Sequence, residues 1–393
     1  MFAHQRDYQM SLEGMCRYLL QDGKKMSKQS LQDRFTDEAA DFMQKMVSHA
    51  LTERLHRSPS AHEKFNRIII GDSTVFQLPP QFSDVYRGSG GGASTAAIKV
   101  QYNYDLLTGS IITLLNREGA SADGSTPVPA LKKDDLLIED LGYFNIGRFK
   151  AIEKQSACFL SRLRFGIRVY VKKGPRYEVL DLLKEEKKMK PGQMCQYEAY
   201  IGEKEKLPVR LVIEKVPEQV AEQKRRKLKT DKQSKRKGLS DARLSFCILN
   251  AYITNASQED LPMHQVRSYY SLRWQIEILF KAWKSVYKLN QVKPMKCQRF
   301  QCIHYGLLML IILTTHLLVC FKKIVRKLDG NELSEFKLYK CLKEILPVWS
   351  DAVKKKRNLS DVIESIIGMV RNTCIKDQKK NKRTPFAILY QTP

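Results

Sequence analysis

Apolar positions along this chain recur with two different periods, and the change from one to the other divides it. From Met10 to Leu55 the spacing is helical: a first segment around Met10 to Leu20 ends near Gly23, a short piece runs from Ser27 to Phe35, and a longer helix follows from Thr36 to about Leu55. Thr36 is the natural N-cap of that helix. Asp37 and Glu38 follow in the first turn, where carboxylates favour the positive end of the helix dipole. Ser58-Pro59-Ser60 interrupts the pattern and reads as a linker. From Phe65 onward the period is that of strands. Two runs, Arg67-Ile-Ile-Ile-Gly-Asp72 and Leu136-Leu-Ile-Glu-Asp140, read as buried strands that each end on an aspartate. Ala97 to Tyr104 and Ser110 to Leu115 make a hairpin around Asp105 to Gly109. Ala157 to Val171 reads as one long strand carrying Arg162, Arg164 and Arg168, and Phe246 to Thr254 returns to strand after a polar interval.

Helical spacing resumes after Pro262. Between Tyr270 and Lys284, four functional side chains, Tyr270, Arg273, Glu277 and Lys284, stand at steps of three, four and seven. On one continuous helix they share an arc of roughly 60°. Leu272, Ile276, Leu279 and Trp283 occupy a second face rotated by roughly 120°, where an amphipathic helix keeps its core contacts. A helix of this kind standing alone is a solvated face with ordinary intrahelical ion pairs. Here it follows two strand-borne aspartates, Asp72 and Asp140, and only the fold could bring the three acids together. Further on, the apolar stretch Gly306 to Phe321 is short for a bilayer span and is interrupted by Thr314, Thr315 and His316, so it reads as a buried helix. Phe336 to Leu346 and Asp361 to Val370 are amphipathic, and Lys376 to Arg383 is a basic segment.

Charge changes the picture most. The 393 residues carry 68 Lys and Arg against 42 Asp and Glu, a formal charge of +26. Such a surplus favours a polyanionic partner, because each neutralised phosphate releases a condensed counterion. Nucleic acid is the first candidate and an anionic membrane surface the second. Nine of the fourteen residues from Lys224 to Lys237 are basic, so residues 171 to 240 read as an insertion or a flexible basic arm. In it Lys224, Arg225, Arg226 and Lys227, with Arg162 and Arg164 upstream, either face phosphates or form a merely solvated charge run. Lys24, Lys25, Lys28 and Arg34 either do the same or are solvated lysines and arginine of a helical cap. Nine cysteines, an odd number, fit free thiols in a reducing compartment. Met1 to Ser30 mixes charges with short apolar pairs and contains no secretory segment, which predicts a cytosolic chain.

Three acids form an all-oxygen, hard donor set suited to Mg²⁺ or Mn²⁺. Such a set can hold two cations about 4 Å apart on either side of a phosphodiester. Cys297, Cys302 and His304 make half a zinc site without a second pair. Gly88-Ser-Gly-Gly-Gly92 lacks the Lys-Ser/Thr ending of a P-loop and precedes a strand, so it reads as a flexible loop beside an active site.

Together these residues resemble the DDE transposases of the insertion sequence four family, including the transposon-five type. The likeness rests on Gly71-Asp72-Ser73-Thr74 with Phe76-Gln77-Leu78-Pro79, on Asp140-Leu141-Gly142-Tyr143-Phe144, and on the Y-x2-R-x3-E-x6-K signature of Tyr270, Arg273, Glu277 and Lys284. The resemblance implies an α/β fold: an RNase H-like catalytic core over 61–170 and 241–325, interrupted by a β-rich basic insertion at 171–240. Helical regions flank it at 1–60, for DNA binding, and at 326–393. It implies that Asp72, Asp140 and Glu277 bind Mg²⁺, with Mn²⁺ able to substitute, and that Tyr270, Arg273 and Lys284 contact phosphates near the cleaved end. Trp274 either stacks on a displaced base or packs. The implied activity is cutting of transposon ends, with a freed 3′-hydroxyl attacking the complementary strand to give a hairpin, and joining to target DNA. The partners would be double-stranded DNA, with terminal inverted repeats and target, and a second copy of the chain in a homodimeric synaptic complex. No membrane is involved, and the protein would be cytoplasmic, at the nucleoid when bound to DNA. The N-terminus, opening directly into a helix, is short for an end-recognising domain. A catalytically idle DNA-binding derivative and an RNase H-fold nuclease without strand joining are the alternatives.

Overall fold

A computed structural model describes residues 11–52, 62, 64–90, 94–231, 239–355, 358–377 and 383–390. The Ser58 to Ser60 linker, Gly91 and Gly92 of the glycine-rich loop, the basic residues Lys232, Lys235, Arg236 and Lys237, and most of the basic segment after Lys376 lie outside these. In chain order, helices α1 (Leu12–Gln21), α2 (Lys28–Gln32) and α3 (Asp37–Thr52) precede strands β1 (Arg67–Leu78), β2 (Ala96–Asp105), β3 (Ile111–Glu118) and β4 (Asp135–Glu139). Then come α4 (Ile146–Glu153), β5 (Cys158–Arg162), β6 (Val169–Lys173), β7 (Arg176–Val179), α5 (Leu182–Lys187), β8 (Met194–Ile201) and β9 (Leu207–Lys215). Next are α6 (Glu218–Thr230), α7 (Asp241–Ser245), β10 (Leu249–Thr254), α8 (Met263–Ser271) and α9 (Trp274–Ser285). Helices α10 (Cys297–Asp329), α11 (Glu335–Lys354), α12 (Leu359–Thr373) and α13 (Pro385–Tyr390) follow. The chain divides into two compact units: Met1–Ser60, Asp72–Ser121 and Trp274–Ala387 form the first, and Ala61–Gly71, Ala122–Arg273 and Ile388–Pro393 the second.

The second unit is built on a sheet in the order β1–β4–β5–β10–β9–β8–β6–β7, to which β1 contributes its first five residues. β1, β4 and β5 run parallel, and the other neighbours pair antiparallel. Ile68 to Ile70 and Leu136 to Ile138 are buried without alternation, as strands covered on both faces require. The single strand expected over Ala157 to Val171 is in fact two. Gly166 sits at φ +89° and the Ile167 amide donates to the Arg164 carbonyl at 3.2 Å, so the chain turns there. Only Arg162 lies on a strand, and Arg164 and Arg168 flank the turn. The flexible-arm reading of 171–240 also fails over its described part: β8 and β9 are sheet strands, and β9 pairs with β10 from Leu249↔Lys215 to Thr254↔Arg210.

The first unit surrounds α10. Thr36 caps α3 as its chemistry predicts, accepting from the Ala39 amide at 3.2 Å. The N-terminal helices dock on the start of α10, where Gln298 donates to Asp37 at 3.1 Å and Arg299 to Gln32 at 3.0 Å. Strand order here is β3–β2–β1. The hairpin turn is held by Asp105, which accepts from the Leu107 and Thr108 amides at 3.1 and 3.2 Å. By length and a mean hydropathy of 2.0, α10 passes for a membrane span, yet 56% of that window is buried inside the structure. Its interrupting hydroxyls explain the pattern: Thr314 Oγ1 accepts from Tyr287 Oη at 3.0 Å, and Thr315 Oγ1 lies 2.7 Å from Tyr339 Oη. The buried-helix expectation therefore holds. α11 runs past Leu346 through Pro347 to Lys354, because its apolar face continues to the buried Ala352.

Candidate active site

Asp72 does not end its strand; it lies inside the 12-residue β1, directly after Gly71. Its own Oδ1 accepts from the Ser73 amide at 2.8 Å. Asp140 does stand at a strand end, one residue past β4, with extended backbone (φ −71°, ψ 163°), and it opens the tight turn Leu141–Tyr143. β1 and β4 pair in parallel register with Gly71 opposite Glu139. Each aspartate is thus the next residue of its own strand.

The expected continuous helix from Tyr270 to Lys284 is broken. α8 stops at Ser271 and α9 begins at Trp274. Between them the Leu272 and Arg273 amides bond three residues back, to the Tyr269 and Tyr270 carbonyls at 3.0 and 3.2 Å, the tighter 3₁₀ pattern that ends helices. Tyr270 and Arg273 belong to the second unit, Glu277 and Lys284 to the first.

In the second unit, Arg273 Nε lies 3.6 Å from Asp140 Oδ1, the guanidine side chain 15% exposed and the carboxylate 46%. An ion pair this long and half-solvated contributes under about 1 kcal/mol to the fold. Tyr270 is largely buried, with its ring 5.4 Å from that of Tyr252. Burial pushes its phenol up to about 12, the Asp140 charge adding to the effect and Arg273 and Arg162 opposing it. The shift moves the phenol further from ionisation, which at neutral pH is absent even at the ordinary tyrosine value. Arg162 sits opposite Tyr252 in the β5–β10 register.

In the first unit, Ile276, Leu279, Phe280, Ala282 and Trp283 bury the apolar face of α9; Leu272, also buried, belongs to the second unit. Glu277 is half-buried in the first turn and Lys284 is exposed. The Lys284 amine lies 5.7 Å from the centroid of the Phe76 ring, four residues beyond Asp72 on β1. Trp274 is 58% exposed.

The basic residues divide. Lys224 Nζ donates to Asn250 Oδ1 at 2.7 Å and to the Leu249 carbonyl at 3.2 Å, and burial lowers its pKa to about 8. Arg225 pairs with Glu218 and donates to the Leu244 carbonyl. Both turn inward. Arg226, Lys227 and Arg164 are exposed, as are Lys24, Lys25, Lys28 and Arg34. Within either unit, among the described residues, no three His, Cys, Asp or Glu side chains form a metal cluster. The half zinc site is core: His304 Nε2 lies 3.1 Å from Asn116 Oδ1, burial lowers its pKa to about 4, and burial also raises the Cys297 and Cys302 thiols.

One pair went unnoticed in the sequence. Arg148 Nε and Nη2 donate to the two Glu139 oxygens at 2.7 and 2.6 Å, both side chains buried. A charged residue inside the apolar run before Asp140 was the available signal, since a buried charge requires a partner.

Residues 63–313 match the family described as the transposase DDE domain. The chain belongs to the DDE transposases. It is 34% identical to the transposase for insertion sequence element IS1151 of Clostridium perfringens, over 93% of this chain and 82% of that one. It is 30% identical to the transposase for insertion sequence element IS231C of Bacillus thuringiensis subsp. berliner, over 99% and 86%. To the IS231E transposase of Bacillus thuringiensis subsp. finitimus it is 31% identical, over 99% and 86%. A DDE transposase cleaves DNA and transfers its strands, which favours the enzyme over an idle binder or a purely hydrolytic nuclease. DNA accounts for the +26 charge better than a membrane surface does.

Proposed function

We propose that this transposase works by cut-and-paste at the ends of its own element, with Asp72, Asp140 and Glu277 together holding Mg²⁺ or Mn²⁺. The observation that carries the reading is the parallel register of Gly71 with Glu139, which makes an aspartate the next residue of each of two neighbouring strands. The donor set suits the ions: all three are carboxylates, and nearly half of the Asp140 side chain is open to solvent. Divalent cations held there would supply Lewis-acid activation of a phosphodiester. The rest falls to the chain. Tyr270, whose phenol is protonated at neutral pH, donates to a phosphate oxygen. Arg273, beside Asp140, brings its positive charge to the same backbone. Lys284 contributes a point charge, and the exposed Trp274 ring stacks on a base displaced from the duplex.

In this reading 61–170 and 241–325 form an RNase H-like core, 171–240 is its β-rich insertion, and the exposed cations of 1–60 contact DNA. The first cut frees a 3′-hydroxyl that attacks the complementary strand to give a hairpin. Two copies of the chain pair the ends before they join the target. The central test replaces each acid. Asp72→Asn, Asp140→Asn and Glu277→Gln each abolish Mg²⁺-dependent nicking of a duplex carrying the DNA that brackets this gene, and leave binding of that duplex largely intact. Nicking at the wild-type rate by any one of them removes that residue from the site.

A further inference from the structure

Asp140 stands between two residues that are anchored to one guanidinium. Before it, Glu139 takes the forked hydrogen bonds of Arg148 at 2.7 and 2.6 Å. After it, the buried Tyr143 ring lies under the same guanidinium, 5.3 Å from Arg148 Cζ to the ring centroid. The remaining nitrogen, Nη1, donates to the Thr126 carbonyl at 2.5 Å. Arg148 is itself fixed, since it is buried in the first turn of α4, whose N-cap Asn145 accepts from the Arg148 amide at 3.2 Å. Side chains alternate along extended backbone. The Glu139 carboxylate therefore faces α4, while that of Asp140 meets Arg273 from beyond α8.

A buried ion pair is poor value as a stabiliser, because an apolar pair of similar volume does as well or better. A planar, bidentate and stacked arginine does something an apolar pair cannot: it sets the orientation of the strand end to within a hydrogen bond's tolerance. We propose that Arg148, through Glu139 and Tyr143, is a positioning residue that presents the Asp140 carboxylate for cation binding and strand cleavage. The inference rests on the cation-holding role proposed above for Asp140.

The test uses the full chain with Glu139→Met and Arg148→Met together, which removes the clamp without leaving a lone buried charge. Arg148→Lys runs beside it, keeping the charge but losing the fork and the stack. Three quantities are read: Mn²⁺ affinity from the free-ion signal in electron paramagnetic resonance, nicking rate on the bracketing duplex, and affinity for that duplex. The double variant binds Mn²⁺ about 10- to 100-fold more weakly and nicks slower by a similar factor, with duplex affinity unchanged. Arg148→Lys falls between it and the wild type, and carries the test alone if the double variant does not fold. Wild-type Mn²⁺ affinity and rate in a folded variant overturn the proposal. So does a loss of duplex affinity in step with the loss of nicking, which marks a merely structural pair. Asp140→Asn separates the two layers: if it still binds Mn²⁺ and nicks, the role of Asp140 itself falls. If it is inactive while the clamp variants behave as wild type, only the clamp falls.

Discussion

Lys224 is held on α6 with its amine against the Leu249 carbonyl and the Asn250 side chain, and desolvation brings its pKa from 10.5 to about 8. At pH 7 the lysine is charged in both folded and unfolded chains, so its burial opposes folding. Between about 8 and 10.5 the folded protein has released a proton that the unfolded chain still holds, and stability then rises with pH. Urea unfolding across that window is expected to show the wild type gaining on Lys224→Met; parallel curves would place the amine in water. Lys284 is the opposite case, an exposed cation beside Phe76. Removing it by Lys284→Ala should flatten the salt dependence of DNA binding by about one counterion, measured as the slope of log affinity against log salt. An unchanged slope takes Lys284 off the phosphate surface. Two lysines of identical chemistry thus diverge only because one is covered.

At the scale of elements, α9 is the amphipathic helix its spacing requires, and its apolar face is its hold on the first unit. Ile276 is fully buried, so Ile276→Ala should cost about 2 to 5 kcal/mol in transfer and cavity terms, read from denaturant midpoints. A cost below about 1 kcal/mol would mean that this face is not core. Periodicity placed the turns of the β2–β3 hairpin and the cap of α3 correctly, because Asp105, Gly109 and Thr36 each act on their immediate neighbours. It failed where the outcome depended on distant contacts. Residues 270 to 284 satisfy one helical period, but the backbone tightens at Leu272 and Arg273, where Arg273 meets Asp140. The run from Ala157 to Val171 has strand composition throughout, yet Gly166 turns it so that β5 pairs with β4 and β10 while β6 pairs with β7 and β8.

For the whole molecule, the excess of 68 basic over 42 acidic residues and the three spaced motifs are enough by themselves to point to DNA and to phosphoryl transfer. They are properties of residue type and interval, which the linear chain carries in full. The core was legible for the same reason: the isoleucines of β1, the leucines of β4 and the long apolar stretch of α10 bury themselves wherever they lie. Which polar groups face water and which face each other was not legible. Lys224 turning inward while Arg226 stays out, Arg148 finding Glu139, and Thr314 and Thr315 meeting Tyr287 and Tyr339 all join residues remote in sequence or on different elements. A charge in the sequence has no dielectric and no partner until folding supplies both. Charge, period and motif therefore belonged to the sequence, while the state and the company of each polar side chain were decided by tertiary structure.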